Sequence, residues 1–492
     1  MFAPGLPEAA NLQEHFPSSR THGPGTVFDI SPEIGHFFVA PVHESLFEQY
    51  QTFMNEHFPF VPISPTVSAL AMMKDRPFLY TCCVMTAAHR DPPLQSRIAR
   101  DILKHISERM ILAGEKSLDF LQGLLIVTAW YHVYTHNNPQ LMNLLHLAKA
   151  LLIDLGLNRP PGFGIFQIKM SSDATEMIHG SRHDARTHSL EERRACLGIY
   201  HVYHRYNAAF RRLDPITWSE HFETCCQALQ NAAEYPSDTY AVALVRLDHI
   251  LERYTSSGGF KPGSSMPIPS YIKLFSEELN RLRQELSSVL LRYPAMLADI
   301  QTAEITLFEP TISANCDVPA HKVEAYHACL KSCLTYFEAF MNQDVAKIPF
   351  LPFLSCVTMA HALDVVARLS FTHDEGWDPS YVRSVAGFDL LSDKIVTMLK
   401  SVQAHEEATY PISRSIRFTI FSMRIQKFRQ WYDSKLQHEA SSQQQGDSEP
   451  GASNEHHLDS LDTLPGLNDF SDMLWQDYTM DWSRLENEFG FS

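Results

Sequence analysis

Apolar residues in this chain recur at intervals of three and four, and no convincing train of alternating β-branched residues accompanies them. That period gathers side chains onto one face of an α-helix, whereas a half-buried strand needs a period of two. Leu46, Phe47, Tyr50, Phe53, Met54 and Phe58 form one such stripe, stopped by Pro59. Ile98, Ile102, Ile106 and Met110 form another, ended by Gly114. Leu141, Leu144, Leu145, Ala148, Leu151, Leu152 and Leu155 make a third, with Gly156 where a left-handed helix terminus favours glycine. A helix resumes at Glu191 with Tyr200, Tyr203, Tyr206 and Phe210, and Ile272, Phe275, Leu279, Leu282, Leu286 and Val289 step cleanly along a later one. Further helical patterns run over residues 323–341, 357–370 and 412–431. The expected fold class is all-α, and no repeat of solenoid period is present.

With 492 residues the chain exceeds one compact core. We divide it into a flexible leader at residues 1–35, a helical lobe at 36–255, a Gly/Ser/Pro-rich linker at 256–270, a second helical lobe at 271–436, a disordered polar linker at 437–457 and an acidic-aromatic tail at 458–492. The formal charge of −17 argues against the folded body gripping a polyanion, because phosphate contacts need clustered Lys and Arg. The start is Pro/Gly-rich without a basic head or an apolar run, so no signal peptide is expected. Leu118 to Tyr134, the most apolar stretch, is too short for a bilayer and reads as a buried helix. Nine cysteines, an odd count, suggest no disulfide framework and fit a reducing compartment, cytosol or nucleus.

The tail carries eight acids and one base, a net −7 within residues 458–492, and two of the chain's six tryptophans. The acids keep such a segment solvated while its apolar side chains stay available to a foreign groove. Folding there as a short helix would present Leu474, Tyr478 and Trp482 at intervals of four, beside Phe470 and Trp475. Acidic-hydrophobic alternation is the compositional mark of activation domains. The alternative is a C-terminal helix docked on the protein's own core. On the first reading Phe470, Leu474, Trp475, Tyr478 and Trp482 are the coactivator contacts.

Enzyme signatures are missing. No G-x-S-x-G, G-x-G-x-x-G after a strand, H-E-x-x-H, Walker A or D-D-x-x-D motif is found, and the Gly114-Glu-Lys-Ser117 stretch lacks the Gly-Lys adjacency of a phosphate loop. His132 and His136 lie four apart, but 25 histidines supply such pairs by chance. Glu277-Glu278 and Glu406-Glu407 read as solvated faces. No catalytic, cofactor-binding or metal residue is expected. Cys329 and Cys333 share a helix face near His321 and His327, and buried thiols are the commoner meaning of that pattern.

An ordered series of phrases resembles the middle homology region of fungal zinc binuclear-cluster transcription factors. They are Phe58-Pro-Phe-Val-Pro-Ile63, Arg76-Pro-Phe-Leu-Tyr80, Gly114-Glu-Lys-Ser-Leu-Asp119, Leu121-Gln-Gly-Leu-Leu125, Glu191-Glu-Arg-Arg-Ala-Cys-Leu-Gly-Ile-Tyr200, Arg211-Arg-Leu-Asp-Pro-Ile-Thr-Trp218, Thr302-Ala-Glu-Ile-Thr-Leu-Phe-Glu309 and Gly376-Trp-Asp378. The likeness covers roughly residues 46–431. It implies an all-helical regulatory domain of a nuclear transcription regulator, of the kind that serves one pathway or gene cluster. The acids of Glu191-Glu192 suit a helix start, and Arg193-Arg194 are expected to pair one turn away as scaffold. Arg211-Arg212 before Asp214-Pro215 read as a helix end salt-bridged to another helix.

One departure matters. Cys82-Cys83, Cys196, Cys225-Cys226, Cys316, Cys329, Cys333 and Cys356 never give the C-x₂-C-x₆-C spacing of the family's zinc cluster, and its dimerisation heptads are not visible. DNA would then be reached through a partner, such as a DNA-binding relative, or through a module upstream of Met1. The alternative is a binding module that senses a small-molecule effector or acts as a dominant-negative partner; a helical enzyme fits least.

Overall fold

The computed structural model describes residues 42–131, 140–161, 187–210, 213–214, 216–256, 268–286, 294–312, 319–410 and 417–446. Among them the regular structure is helical throughout, as the apolar period requires. The tail at 458–492, the leader, residues 257–267 of the Gly/Ser/Pro-rich stretch, His132, His136, Arg211-Arg212, Pro215 and Cys316 lie outside the described residues.

Helix starts follow local chemistry. Helix α1 (Val42–Gln49) runs into a π-helical turn at Tyr50–Met54, where Tyr50 and Met54 are buried. Ser68 caps α2 (Ala69–Asp75) by accepting from the Ala71 amide, and Pro77 opens α3 (Pro77–Ala87), where its missing N–H costs nothing. Asp91 caps α4 (Pro92–His105) and Ser117 caps α5 (Leu118–Ala129). Ser117 therefore belongs to a helix cap, and its neighbours Glu115 and Lys116 pair with Arg109 and Asp154.

The Leu141 stripe forms α6 (Leu141–Asp154), with Leu144, Leu145, Ala148, Leu151 and Leu152 buried. Gly156 ends it at a φ of +69°. Before α7 (Leu190–Phe210), Ser189 and Glu192 bond reciprocally to each other's amides, a capping box. Then come α8 (Glu220–Ala232), α9 (Asp238–Ser256), α10 (Ile268–Glu285) and α11 (Pro294–Phe308). The chain continues through α12 (Pro319–Met341), a 3₁₀ turn at Ile348–Phe350 and α13 (Phe353–Phe371). It closes with α14 (Pro379–Ala386), α15 (Phe388–Thr409) and α16 (Arg417–Gly446). Residues 437–446, expected in a disordered linker, continue α16; their Gln, Glu, Ala and Ser residues support a helix extended from a packed start.

Among the described residues three larger cores, with a small fourth of Ala243, Met296 and Ile300, organise these helices. The largest gathers α1 through α9 around Trp130, Tyr200 and Tyr206. In it α3 is buried along almost its whole length and packs against α5, where a Cβ on Gly123 would come within 2.4 Å of the Phe78 ring. The second core gathers α12 through α16. A smaller one joins Leu247, Leu251 and Tyr254 of α9 to Phe275, Leu279 and Leu282 of α10 and Leu307 of α11, so helices on both sides of residues 257–267 pack together. Helix α13 alone among the described residues is long and apolar enough to cross a membrane, yet 67% of its apolar window is buried inside the protein. The eight described cysteines are all free thiols.

Candidate functional site

The two large cores meet at the Ile348–Phe350 turn. Ile348 belongs to the second core, whereas Phe350, two residues on, is buried in the first. The Phe350 ring stacks on Phe53 at 4.8 Å and meets the edge of His89 at 5.7 Å, with the Arg90 guanidinium 5.3 Å from its centre. Its carbonyl accepts from Trp130 Nε1 at 3.0 Å, and the Pro349 carbonyl accepts from Arg417 at 2.8 Å. Pro349 has no amide to satisfy, so the turn enters an apolar environment with fewer polar groups to desolvate.

Beside this plug lies a buried ionic group. Glu406 of α15 sits 3.3 Å from both His89 Nε2 and Arg90 Nε, and Arg90 also stacks on Tyr410 at 3.6 Å. Glu406 is fully buried, which corrects its reading as part of a solvated face; helix period carries it inward while Glu407 stays exposed. Burial pushes the His89 imidazole down from 6.5 to about 4, opposed only in part by Glu406. Burial would raise the Glu406 carboxyl, but His89, Arg417 and Arg90 outweigh it and hold that group below its ordinary value. Arg90 therefore carries the positive charge and His89 is neutral at pH 7.

Further ion pairs tie helices across long sequence separations. Arg194, wholly buried, is bidentate to Asp238 at 2.6 and 2.9 Å and reaches Glu234 at 2.7 Å. The expectation of pairing one turn away fails here because Arg194 points inward, where Asp238 at the start of α9 and Glu234 just before it supply the acids. Glu191 instead meets Arg76 at 2.5 Å. Asp248 receives His201 at 2.6 Å and Arg205 at 3.2 Å, and Arg205 goes on to Asp299 of α11 at 2.6 Å. Glu309 takes Arg368 at 2.6 Å and His361 at 2.8 Å. Charges matched in this way inside a core cost little only when every partner is present.

A separate cluster holds Cys196, His221 and Cys225. One ligand atom from each lies within 4.8 Å of the others, and all three residues are buried. Cys225 Sγ is 3.6 Å from His221 Nε2, which is also 3.0 Å from the Leu157 carbonyl, and Arg193 Nη1 is 4.0 Å from the same sulfur. A hydrogen bond from the Cys196 thiol brings the Cys225 thiol down to about 5, with His221 and Arg193 acting in the same direction against burial. Sequence analysis missed this group: the signal it could have used is the His221–Cys225 spacing of four on α8, whereas Cys196, on α7, joins them only through packing. Cys226, the other half of the doublet, is not one of the three converging ligands, and burial pushes its thiol above the ordinary value. Cys329 and Cys333 of α12 are buried thiols, and His327 packs on Trp377 and Tyr381.

The five expected coactivator contacts, Phe470, Leu474, Trp475, Tyr478 and Trp482, lie outside the described residues. Glu277 is exposed, and Glu278 pairs with Arg253 at 2.8 Å.

Comparison with known proteins supplies the remaining findings. Residues 40–436 match the model of the WAR1 C-terminal domain. Transcription factor opdL of Penicillium oxalicum is 24% identical over 371 residues, 73% of this chain and 65% of its own length. Transcription factor himD of Aspergillus japonicus is 25% identical over 347 residues, 65% of this chain and 56% of its own. Transcription factor pbcR of Emericella nidulans is 22% identical over 352 residues, 68% of this chain and 46% of its own. The chain thus matches less than two thirds of each relative. No solved structure matches.

Proposed function

The chain belongs to the WAR1 C-terminal domain family, and from that premise we propose that it is a fungal transcription regulator whose helical body carries an acidic activation tail. The observation that carries this reading is the family match across residues 40–436, joined to the printed names of its relatives, all transcription factors. The ordered phrases read from the sequence point to the same broad group of fungal regulators. Nothing in the family or the relatives' names suggests an enzyme, and buried charged groups of the body such as Arg194, Arg205 and Arg368 are paired with acids as scaffold.

In this reading the protein works in the nucleus. The body takes the regulatory input, and residues 458–492 recruit coactivators through Phe470, Leu474, Trp475, Tyr478 and Trp482. DNA contact comes from a partner or from a zinc-cluster module outside the 492 residues, since the six-cysteine spacing is not among them. A sensing role for the body, with a small-molecule effector, is compatible with the same arrangement.

The test is to fuse the full chain to a heterologous DNA-binding domain and read a reporter gene in a fungal host. Expression well above the unfused control is expected, and replacing the five tail residues together by Ala should return it to background. Undiminished output from the five-alanine protein would overturn the assignment of these residues.

A further inference from the structure

We propose that Cys196, His221 and Cys225 form a metal site for zinc, built into the body and separate from any DNA-binding cluster. Among the described residues this is the group of three metal-ligating side chains whose donor atoms converge, within 4.8 Å of one another. In a tetrahedral zinc site, sulfur and nitrogen ligands at ~2.3 and ~2.0 Å stand about 3.5 Å apart. The Cys225 Sγ to His221 Nε2 separation is 3.6 Å, so that edge needs almost no rearrangement.

The chemistry of the donors selects the metal. Two thiolates and an imidazole are a soft, low-coordination set that suits zinc over magnesium or calcium, which want oxygen. Two thiolates also neutralise a divalent cation, so the filled site is uncharged and suits a buried position. Arg193 Nη1, 4.0 Å from Cys225 Sγ, is placed to donate to a metal-bound sulfur from outside. His188 stands edge-on to His221 with ring centres 5.4 Å apart, and water can fill the fourth vertex.

Loading requires His221 Nε2 to give up its contact with the Leu157 carbonyl, 3.0 Å away, and both thiols to lose their protons. The metal would join α8, through His221 and Cys225, to α7, through Cys196. By contrast, Cys329 and Cys333 share one helix, and His327 is committed to aromatic packing. They serve as the internal control.

The experiment uses the purified full chain, stripped with a chelator under reducing conditions and then given zinc or cobalt(II) alone. One zinc per chain should survive gel filtration, and cobalt should produce a thiolate charge-transfer band with the intense visible bands of tetrahedral coordination. Cys196→Ala with Cys225→Ala should lose both, while Cys329→Ala with Cys333→Ala keeps both. Circular dichroism reports whether each variant is folded. The cobalt spectrum of the wild-type chain does not depend on any variant: a spectrum without a thiolate band would overturn the proposal. So would full zinc retention by the folded Cys196/Cys225 variant. Neither result bears on the reporter assay, so this inference and the transcriptional reading stand or fall separately.

Discussion

His89 illustrates how a single buried side chain acquires a pH signature. It is sealed by Phe350 and faces Glu406, with Arg90 and Arg417 close by. Its imidazole takes up a proton near 6.5 in the unfolded chain but only near about 4 in the folded one. The unfolded state therefore binds more protons through that window, and the neutral-pH stability is lost as pH falls through it. Glu406, held low by its cationic neighbours, adds a loss of the same sign at more acid pH. His89→Gln removes the titration and keeps a polar group of similar size. Between neutrality and pH 5 the wild-type chain should lose about 2 kcal/mol more stability than this variant. Urea titrations at the two pH values measure the difference, and parallel losses would show that His89 does not titrate as described.

At the scale of elements, the Ile348–Phe350 turn joins the two large cores. Phe350→Ala removes a buried ring that touches Phe53, His89 and Arg90, and should cost about 3–5 kcal/mol by urea unfolding. Leu112→Ala, at 82% exposure, should change stability by less than about 0.5 kcal/mol. Equal effects from the two would mean the turn is not a structural plug. The helices themselves were legible because period and caps are local: the Leu141 stripe and Gly156 appear where the pattern places them. The plug was not, since three residues reading Ile-Pro-Phe have no period to read. Glu406 was misjudged because an acid pair says nothing about which member faces inward. The Cys196–His221–Cys225 group was missed: an i, i+4 pair on α8 is a weak signal among 25 histidines, and only the packing of α7 completes the group.

For the molecule as a whole, charge is unevenly placed. The tail at residues 458–492 carries −7 of the total −17, together with Trp475 and Trp482. In the body several buried charges are paired across helices, Arg194 with Asp238, Arg205 with Asp248 and Asp299, and Arg368 with Glu309. In the proposed reading the body is the scaffold for regulation, and the acidic segment supplies the apolar side chains that a coactivator would take up. The most direct test transplants residues 458–492 alone onto a heterologous DNA-binding domain and measures reporter expression. Strong activation that disappears when Phe470, Leu474, Trp475, Tyr478 and Trp482 become Ala is the expected result. An inert fusion, made at normal levels in the nucleus, would contradict the account.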